Sequence, residues 1–241
     1  MTLIVCDDYE SMSQRAAGLA AEAIPKDRES LISFPGGDSP LGFVRHFTGM
    51  VNKGLADISR TRYVSLDEWV GLGPETEGSC AWFNQTHLLS ELQKPFLETL
   101  IINGKAADLS EECRRLDSFI ARHGPLDLSV LGIGLNGHLG FNEEGVDFTL
   151  NAHVIPLSKT TKEVMGKYFE REYPLEAGIT QGLAQITAAR RIMLLASGAK
   201  KAAILERAFR GPVGRAVPAS VLQTCPNVFV VADREAAAGL N

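Results

Sequence analysis

Six short apolar runs, with helical spacing between most of them, constrain this chain more than any other feature. The runs are residues 3–6, 31–34, 63–66, 126–133, 191–196 and 228–231. Around them, residues 9–24, 40–50, 81–92, 108–122 and 199–209 repeat apolar side chains at helical spacing. A further short helix is expected from Pro218, because proline suits a first helical turn. Such alternation predicts an α/β domain, doubly wound on a mostly parallel sheet with helices on both faces. The run 126–133 is the most apolar and is expected at the sheet centre, buried on both sides. At 241 residues and 45% hydrophobic content the chain can bury one large core. It shows no repeat, low-complexity tract or long linker, so residues 1–241 are expected to form a single domain. The less regular segment 142–178 is expected to be an excursion or lid over the site.

Charge and cysteine usage exclude several classes. A formal net charge of −5 gives no electrostatic reason to expect a nucleic acid or membrane partner. A small anionic ligand would need a local cationic site. Cys6, Cys80, Cys113 and Cys225 are scattered, with no Cys-x-x-Cys pair, which argues against a disulfide framework or zinc site and for a reducing cytoplasm. The first residues lack a basic start and a long apolar run, so no signal peptide is expected. No apolar stretch approaches membrane-spanning length.

In doubly wound folds, ligands bind outside the carboxyl ends of the strands. Three polar junctions fall there. In Pro35-Gly-Gly-Asp-Ser-Pro40, Gly36 and Gly37 allow close backbone approach and Ser39 sits near a helix start. Backbone N–H groups there could hold a phosphate; the alternative is an ordinary turn with Ser39 as the helix cap. Asp38 would repel a phosphate and is expected to turn away, capping the helix. In Ser65-Leu-Asp-Glu-Trp69, a desolvated Asp67 could act as a general base, or Asp67 and Glu68 could be a solvated pair. Gly132-Ile-Gly-Leu-Asn-Gly-His-Leu-Gly-Phe-Asn-Glu-Glu-Gly145 is the densest junction. His138 can move protons near neutral pH, and Glu143 could orient and charge-support it. One of Lys200 and Lys201, at a later helix start, could complete a phosphate site. Trp69 and Trp82 are expected to pack.

The His138 motif, with Leu-Asp-Glu-Trp-Val-Gly-Leu upstream, resembles the glucosamine-6-phosphate deaminases and their galactosamine-6-phosphate deaminase/isomerase relatives. The resemblance runs from the first strand to Val231-Ala-Asp233. It implies a Rossmann-like fold and a homo-oligomer or monomer. It also implies an aldose–ketose isomerisation that releases ammonia without metal or cofactor. By position, Asp67 matches the base that moves a proton between C2 and C1. His138 matches the ring-opening residue, Glu143 its carboxylate partner, and Asn136 a position that assists. Gly36, Gly37, Ser39, Lys201 and Lys167 match positions that hold the sugar phosphate. Many members carry Asp where this chain has Asn136, which removes a charge and leaves Glu143 as the main partner of His138. The segment 146–155 has no Arg or Lys, so activation by an N-acetylamino-sugar phosphate is not expected.

The rival enzyme is a 6-phosphogluconolactonase, which shares the fold and part of the His motif. Lactonases tend to follow Gly-His with a Thr/Ala-Ser-Leu-Phe-Pro type sequence, whereas Leu-Gly-Phe-Asn-Glu stands here. The rival from another class is a sugar-phosphate sensor, which tends to lose the Asp67, His138 and Glu143 constellation. The sugar is expected to be glucosamine 6-phosphate, with galactosamine 6-phosphate as the alternative.

Overall fold

The computed structural model describes residues 1–166, 169 and 173–240. Its strands are β1 (Thr2–Cys6), β2 (Ser30–Ser33), β3 (Thr61–Val64), β4 (Asp67–Trp69), β5 (Glu98–Leu100), β6 (Leu128–Gly132), β7 (His153–Pro156), β8 (Ala177–Thr180), β9 (Ile192–Ala196) and β10 (Val228–Asp233). Seven of them form one sheet in the order β1-β10-β9-β6-β2-β3-β5, with every pairing parallel. The other three form a small antiparallel sheet, β4-β8-β7. β6 takes the middle place, as its continuous apolar run requires.

The helices are α1 (Tyr9–Ala23), α2 (Asp38–Asn52), α3 (Cys80–Phe83), α4 (Leu109–His123), α5 (Lys159–Met165), α6 (Leu183–Thr187), α7 (Ala202–Arg210) and α8 (Arg234–Ala237). Successive strand residues point to opposite faces, so each strand feeds two cores. Leu31 of β2 packs in the cluster that holds Leu116 and Ile120 of α4 and Leu205 of α7. Its neighbour Ile32 packs with Met12 of α1 and with Phe43 and Phe47 of α2. Leu131 and Val130 of β6 divide in the same way. α1 starts at a capping box, in which the Asp8 side chain accepts from the Ser11 N–H at 2.8 Å.

The expected elements are present, with two departures. The helix expected over 81–92 is α3 followed by a π-helical run at Asn84–Leu89. Asn84 is buried there, taking a hydrogen bond from the Tyr63 hydroxyl and donating to the Cys80 carbonyl. The segment 142–178 is not irregular throughout. It carries β7, α5 and the start of β8. β7 alternates half-buried and exposed residues over only four positions, too short a period to read from sequence.

Strand order places the site. From β6, the chain steps outward through β9 and β10 on one side, while β2, β3 and β5 step outward on the other. The crevice at the carboxyl ends of β2 and β6 is therefore a topological switch point.

Candidate active site

A cavity of about 1020 Å³ opens at that switch point. Gly36, Gly37 and Ser39 line it after β2, Asp67 after β3, Asn136 and His138 after β6, and Lys201 after β9. Parallel strands deliver all of these loops to one end of the sheet. Glu143 is buried behind His138. Lys167 lies outside the described residues.

Just beyond β3, Asp67 is itself in a strand. It opens β4, paired with Thr180 of β8. It is 8% exposed. Burial pushes its carboxyl up to about 6, against a hydrogen bond with the Cys80 thiol and the nearby His138 charge, which hold it down. Glu68 follows on the opposite face and is fully buried. It is no solvated carboxylate. Its oxygens accept from the N–H groups of Trp69 at 2.7 Å, Cys80 at 3.1 Å and Ala81 at 2.6 Å. Burial raises its carboxyl to about 8 while these three donors favour the charged form. The donors from Cys80 and Ala81 are the first N–H groups of α3, so Glu68 pins the helix that carries Cys80 to Asp67.

His138 lies with its ring on the backbone of Gly134. A Cβ at 134 would stand 2.4 Å from ring atoms of His138, so only glycine leaves room there. The ring nitrogen Nδ1 is 3.1 Å from the Thr161 hydroxyl and 3.7 Å from Glu143 Oε2. The second distance is an ion-pair separation, beyond a hydrogen bond. Burial would raise the Glu143 carboxyl, yet it is held down at about 2 by His138, Thr161 and Asn136. The amide of Asn136 donates to Glu143 Oε2 at 2.7 Å and to Ser158 Oγ at 3.2 Å, and its oxygen accepts from the His138 N–H. Asn136 therefore acts as a donor that strengthens the Glu143 anion. An ionised acidic residue could not do this.

The glycine turn differs from the expected cap. Gly37 is the N-cap of α2, at φ 107°, a conformation that L side chains rarely adopt. Asp38 and Ser39 are the first helical residues, so the cap expected from Ser39 is corrected to Gly37. A 15-residue helix points its first N–H groups at the cavity, an arrangement suited to an anion. Across the cavity, Lys201 Nζ donates to the Ile133 carbonyl at 2.5 Å, which holds its ammonium at the end of β6.

The family model described as glucosamine-6-phosphate isomerases/6-phosphogluconolactonase matches residues 8–230. The chain belongs to that family. A glucosamine-6-phosphate deaminase of Geobacillus sp. (strain WCH70) is 38% identical over 238 residues, covering 98% of this chain and 94% of the relative. One of Bacillus cereus (strain AH820) is 37% identical over 237 residues, covering 98% and 88%. A solved structure of a monomeric glucosamine-6-phosphate deaminase superposes with a TM-score of 0.92 at 31% identity, over 99% of this chain and 100% of that one. A 6-phosphogluconolactonase from Trypanosoma brucei superposes with a TM-score of 0.77 at 19% identity, covering 100% and 98%. At that identity the likeness is one of fold.

Within this family fold, several residues at the site escape a reading of sequence alone. Cys80, Ser158 and Thr161 reach it from segments with no chemical signature. The only local signal is Ser158, which caps α5 by accepting from the Thr161 N–H at 3.2 Å. Trp69 packs against Phe141 with ring centres 4.7 Å apart, but Trp82, expected only to pack, is half-buried on the cavity wall.

Proposed function

We propose that this chain converts glucosamine 6-phosphate and water to fructose 6-phosphate and ammonia, in a cytoplasmic setting. The observation that carries this reading is the pairing in one cavity of a neutral-range base, Asp67, with an imidazole backed by a fixed anion, His138 with Glu143. The two deaminase relatives named above support it.

The phosphate is held by the first N–H groups of α2 at Gly37–Ser39 and by Lys201, with Lys167 as a further cation. Such a seat leaves the sugar ring between His138 and Asp67. His138 takes the proton from the anomeric hydroxyl and returns one to the ring oxygen, which opens the ring. Glu143 and Asn136 stabilise the imidazolium formed between these steps. Asp67 then removes the proton from C2 and delivers it to C1. One carboxylate with two oxygens can reach both carbons, and a carboxyl near 6 can release the proton it has taken. The C2 imine that results adds water and expels ammonia, leaving the ketone. The segment 142–178 brings α5 against His138 and serves as its cover.

The test is ammonia release from glucosamine 6-phosphate and from galactosamine 6-phosphate, side by side with acid release from 6-phosphogluconolactone. Ammonia from the glucosamine substrate is expected to dominate. Acid release without ammonia would assign the lactonase reaction, and binding without turnover a sensor.

A further inference from the structure

We infer that Gln181 is a positioning residue: its buried amide and its backbone tie the three junctions of the site together and set the spacing between the phosphate seat, Asp67 and His138. The inference rests on the proposed deaminase reading for the roles of that seat and of those two side chains.

The three junctions hang from different supports. The glycine turn leaves β2 and the His138 motif leaves β6, both in the large sheet, whereas Asp67 rides on β4 of the small one. Among the described residues, no strand of the small sheet pairs with the large one. Side chains must therefore fix the two sheets to each other at this end. Gln181, directly after β8, does so. Its amide Nε2 donates to the Ser33 hydroxyl, on the last residue of β2, at 2.8 Å and to the Ser65 carbonyl at 2.9 Å. A carbonyl can only accept, so the second bond decides which end of the amide faces the sheet. The Gln181 N–H donates to the Leu66 carbonyl at 2.9 Å. Ser65 and Leu66 are the two residues that carry the chain from β3 to β4. The Gln181 carbonyl accepts from the Asn142 amide at 2.9 Å and from the Thr180 hydroxyl at 3.1 Å. Asn142 also donates to the Leu139 carbonyl at 2.8 Å, closing the turn that follows His138. Thr180 Oγ1 accepts from the Phe141 N–H at 3.2 Å, and Thr180 stands opposite Asp67 in the β4–β8 pair.

Gln181 and its partners Ser33, Ser65, Asn142 and Thr180 are all buried. Water does not compete for bonds sheltered in this way, so the amide holds one geometry. A sugar phosphate must engage the seat and both reacting groups at once. An error in their spacing costs rate even where each group is intact. Gln181 bonds to neither α2 nor Lys201 and does not line the cavity. Anion binding at the seat alone is consequently independent of it.

The experiment compares wild type with two variants of the full chain. Gln181→Met keeps the length of the side chain and removes its donor. Ser33→Ala removes one acceptor and leaves Gln181 in place. Three quantities are read: kcat for ammonia release, and calorimetric affinities for inorganic phosphate and for 2-amino-2-deoxyglucitol 6-phosphate. The last is the reduced open-chain sugar phosphate, which cannot isomerise. Gln181→Met is expected to lower kcat about 10- to 100-fold, the effect of misplacing reacting groups by about an ångström. It should weaken the hexitol phosphate about tenfold, roughly the worth of one hydrogen bond. Inorganic phosphate should bind as in wild type. Ser33→Ala should move the same quantities in the same direction by less. Variants with wild-type kcat and hexitol affinity overturn the inference. So do variants that also lose inorganic phosphate, because a merely structural role loosens the whole site. A wild type that binds the hexitol phosphate no more tightly than inorganic phosphate overturns it too, since the spacing then contributes nothing. If Gln181→Met does not fold, Ser33→Ala decides. If wild type releases no ammonia, the deaminase reading fails, while the two affinities still decide the role of Gln181.

Discussion

Asp67 and Glu143 are both buried carboxylates beside His138, yet the protein moves them in opposite directions. Asp67 is raised to about 6 and Glu143 is held at about 2. Burial raises both. The difference lies in how closely each faces His138 and in the donors around it. Glu143 faces His138 at ion-pair distance and accepts from the Asn136 amide at 2.7 Å and the Ser158 N–H at 3.4 Å. Asp67 has a weakly donating thiol and a more remote charge. Glu143, paired with His138, remains an anion through the whole cycle and can only stabilise. Donors alone do not secure this, since Glu68 accepts three N–H groups and is still raised to about 8. Asp67, without a close cation, can exchange a proton near neutral pH. Two environments thus assign two roles to one functional group.

Removing Asp67 should have the largest effect. Asp67→Asn keeps the shape and loses the base, and kcat for ammonia release should fall about 10³- to 10⁴-fold. The same substitution should stabilise the fold. A carboxyl raised from 3.8 to about 6 in the folded state contributes stability below pH 3.8, and that contribution is lost as pH rises through 6. Above pH 7 the ionised wild-type group costs up to about 3 kcal/mol. Thermal unfolding of Asp67→Asn should therefore occur at higher temperature than wild type at pH 7.5, with the gap closing by pH 4. Equal melting at both pH values would mean that Asp67 is not raised. In wild type, kcat/KM should fall as pH drops through about 6, because a protonated Asp67 cannot take the C2 proton.

Glu143 should give the opposite signature. Glu143→Gln removes the anion behind His138, and kcat should fall about 10²- to 10³-fold, within the range of a lost proton-transfer support. Here the folded carboxyl is lowered, from 4.5 to about 2. Its contribution to stability is present above pH 4.5 and lost as pH falls towards 2. Wild type should lose melting temperature over that interval, and Glu143→Gln should lose less. A variant that melts in parallel with wild type from pH 5 to pH 2.5 would remove the contrast with Asp67.

How much of this contrast is legible in the sequence follows from the range of the interactions. Asp67, His138 and Glu143 each end or follow an apolar run, and a parallel sheet carries such ends to one side. Their company can thus be read from local pattern. The direction in which each carboxyl moves cannot. It depends on Cys80 beside Asp67 and on Ser158 and Thr161 beside Glu143, and these contacts are made only when distant segments pack. Glu68 reads locally as a solvated neighbour of Asp67, because nothing nearby in the chain shows that α3 brings its N–H groups onto it. The small sheet is illegible for a related reason. β4 is three residues long, and β7 and β8 four each, too short for a periodic signal.

The mildest perturbation falls on a donor alone. Asn136→Asp changes one N–H₂ donor, 2.7 Å from Glu143, into a second acceptor. Two carboxylates at that separation cannot both ionise easily, so one proton is retained well above the pH at which wild-type Glu143 loses its own. Fully ionised, the pair still supports the imidazolium, and activity at pH 8 should stay near wild type. As pH falls, the shared proton cancels part of that support before Asp67 itself titrates. The acid limb of kcat/KM should therefore move upward and steepen. A limb displaced by about one pH unit leaves roughly tenfold less activity than wild type near pH 5.5. Acid limbs that coincide would mean that Asn136 only fills space. A limb that moves would show that the amide's two hydrogens keep Glu143 apart from Asp67 in character.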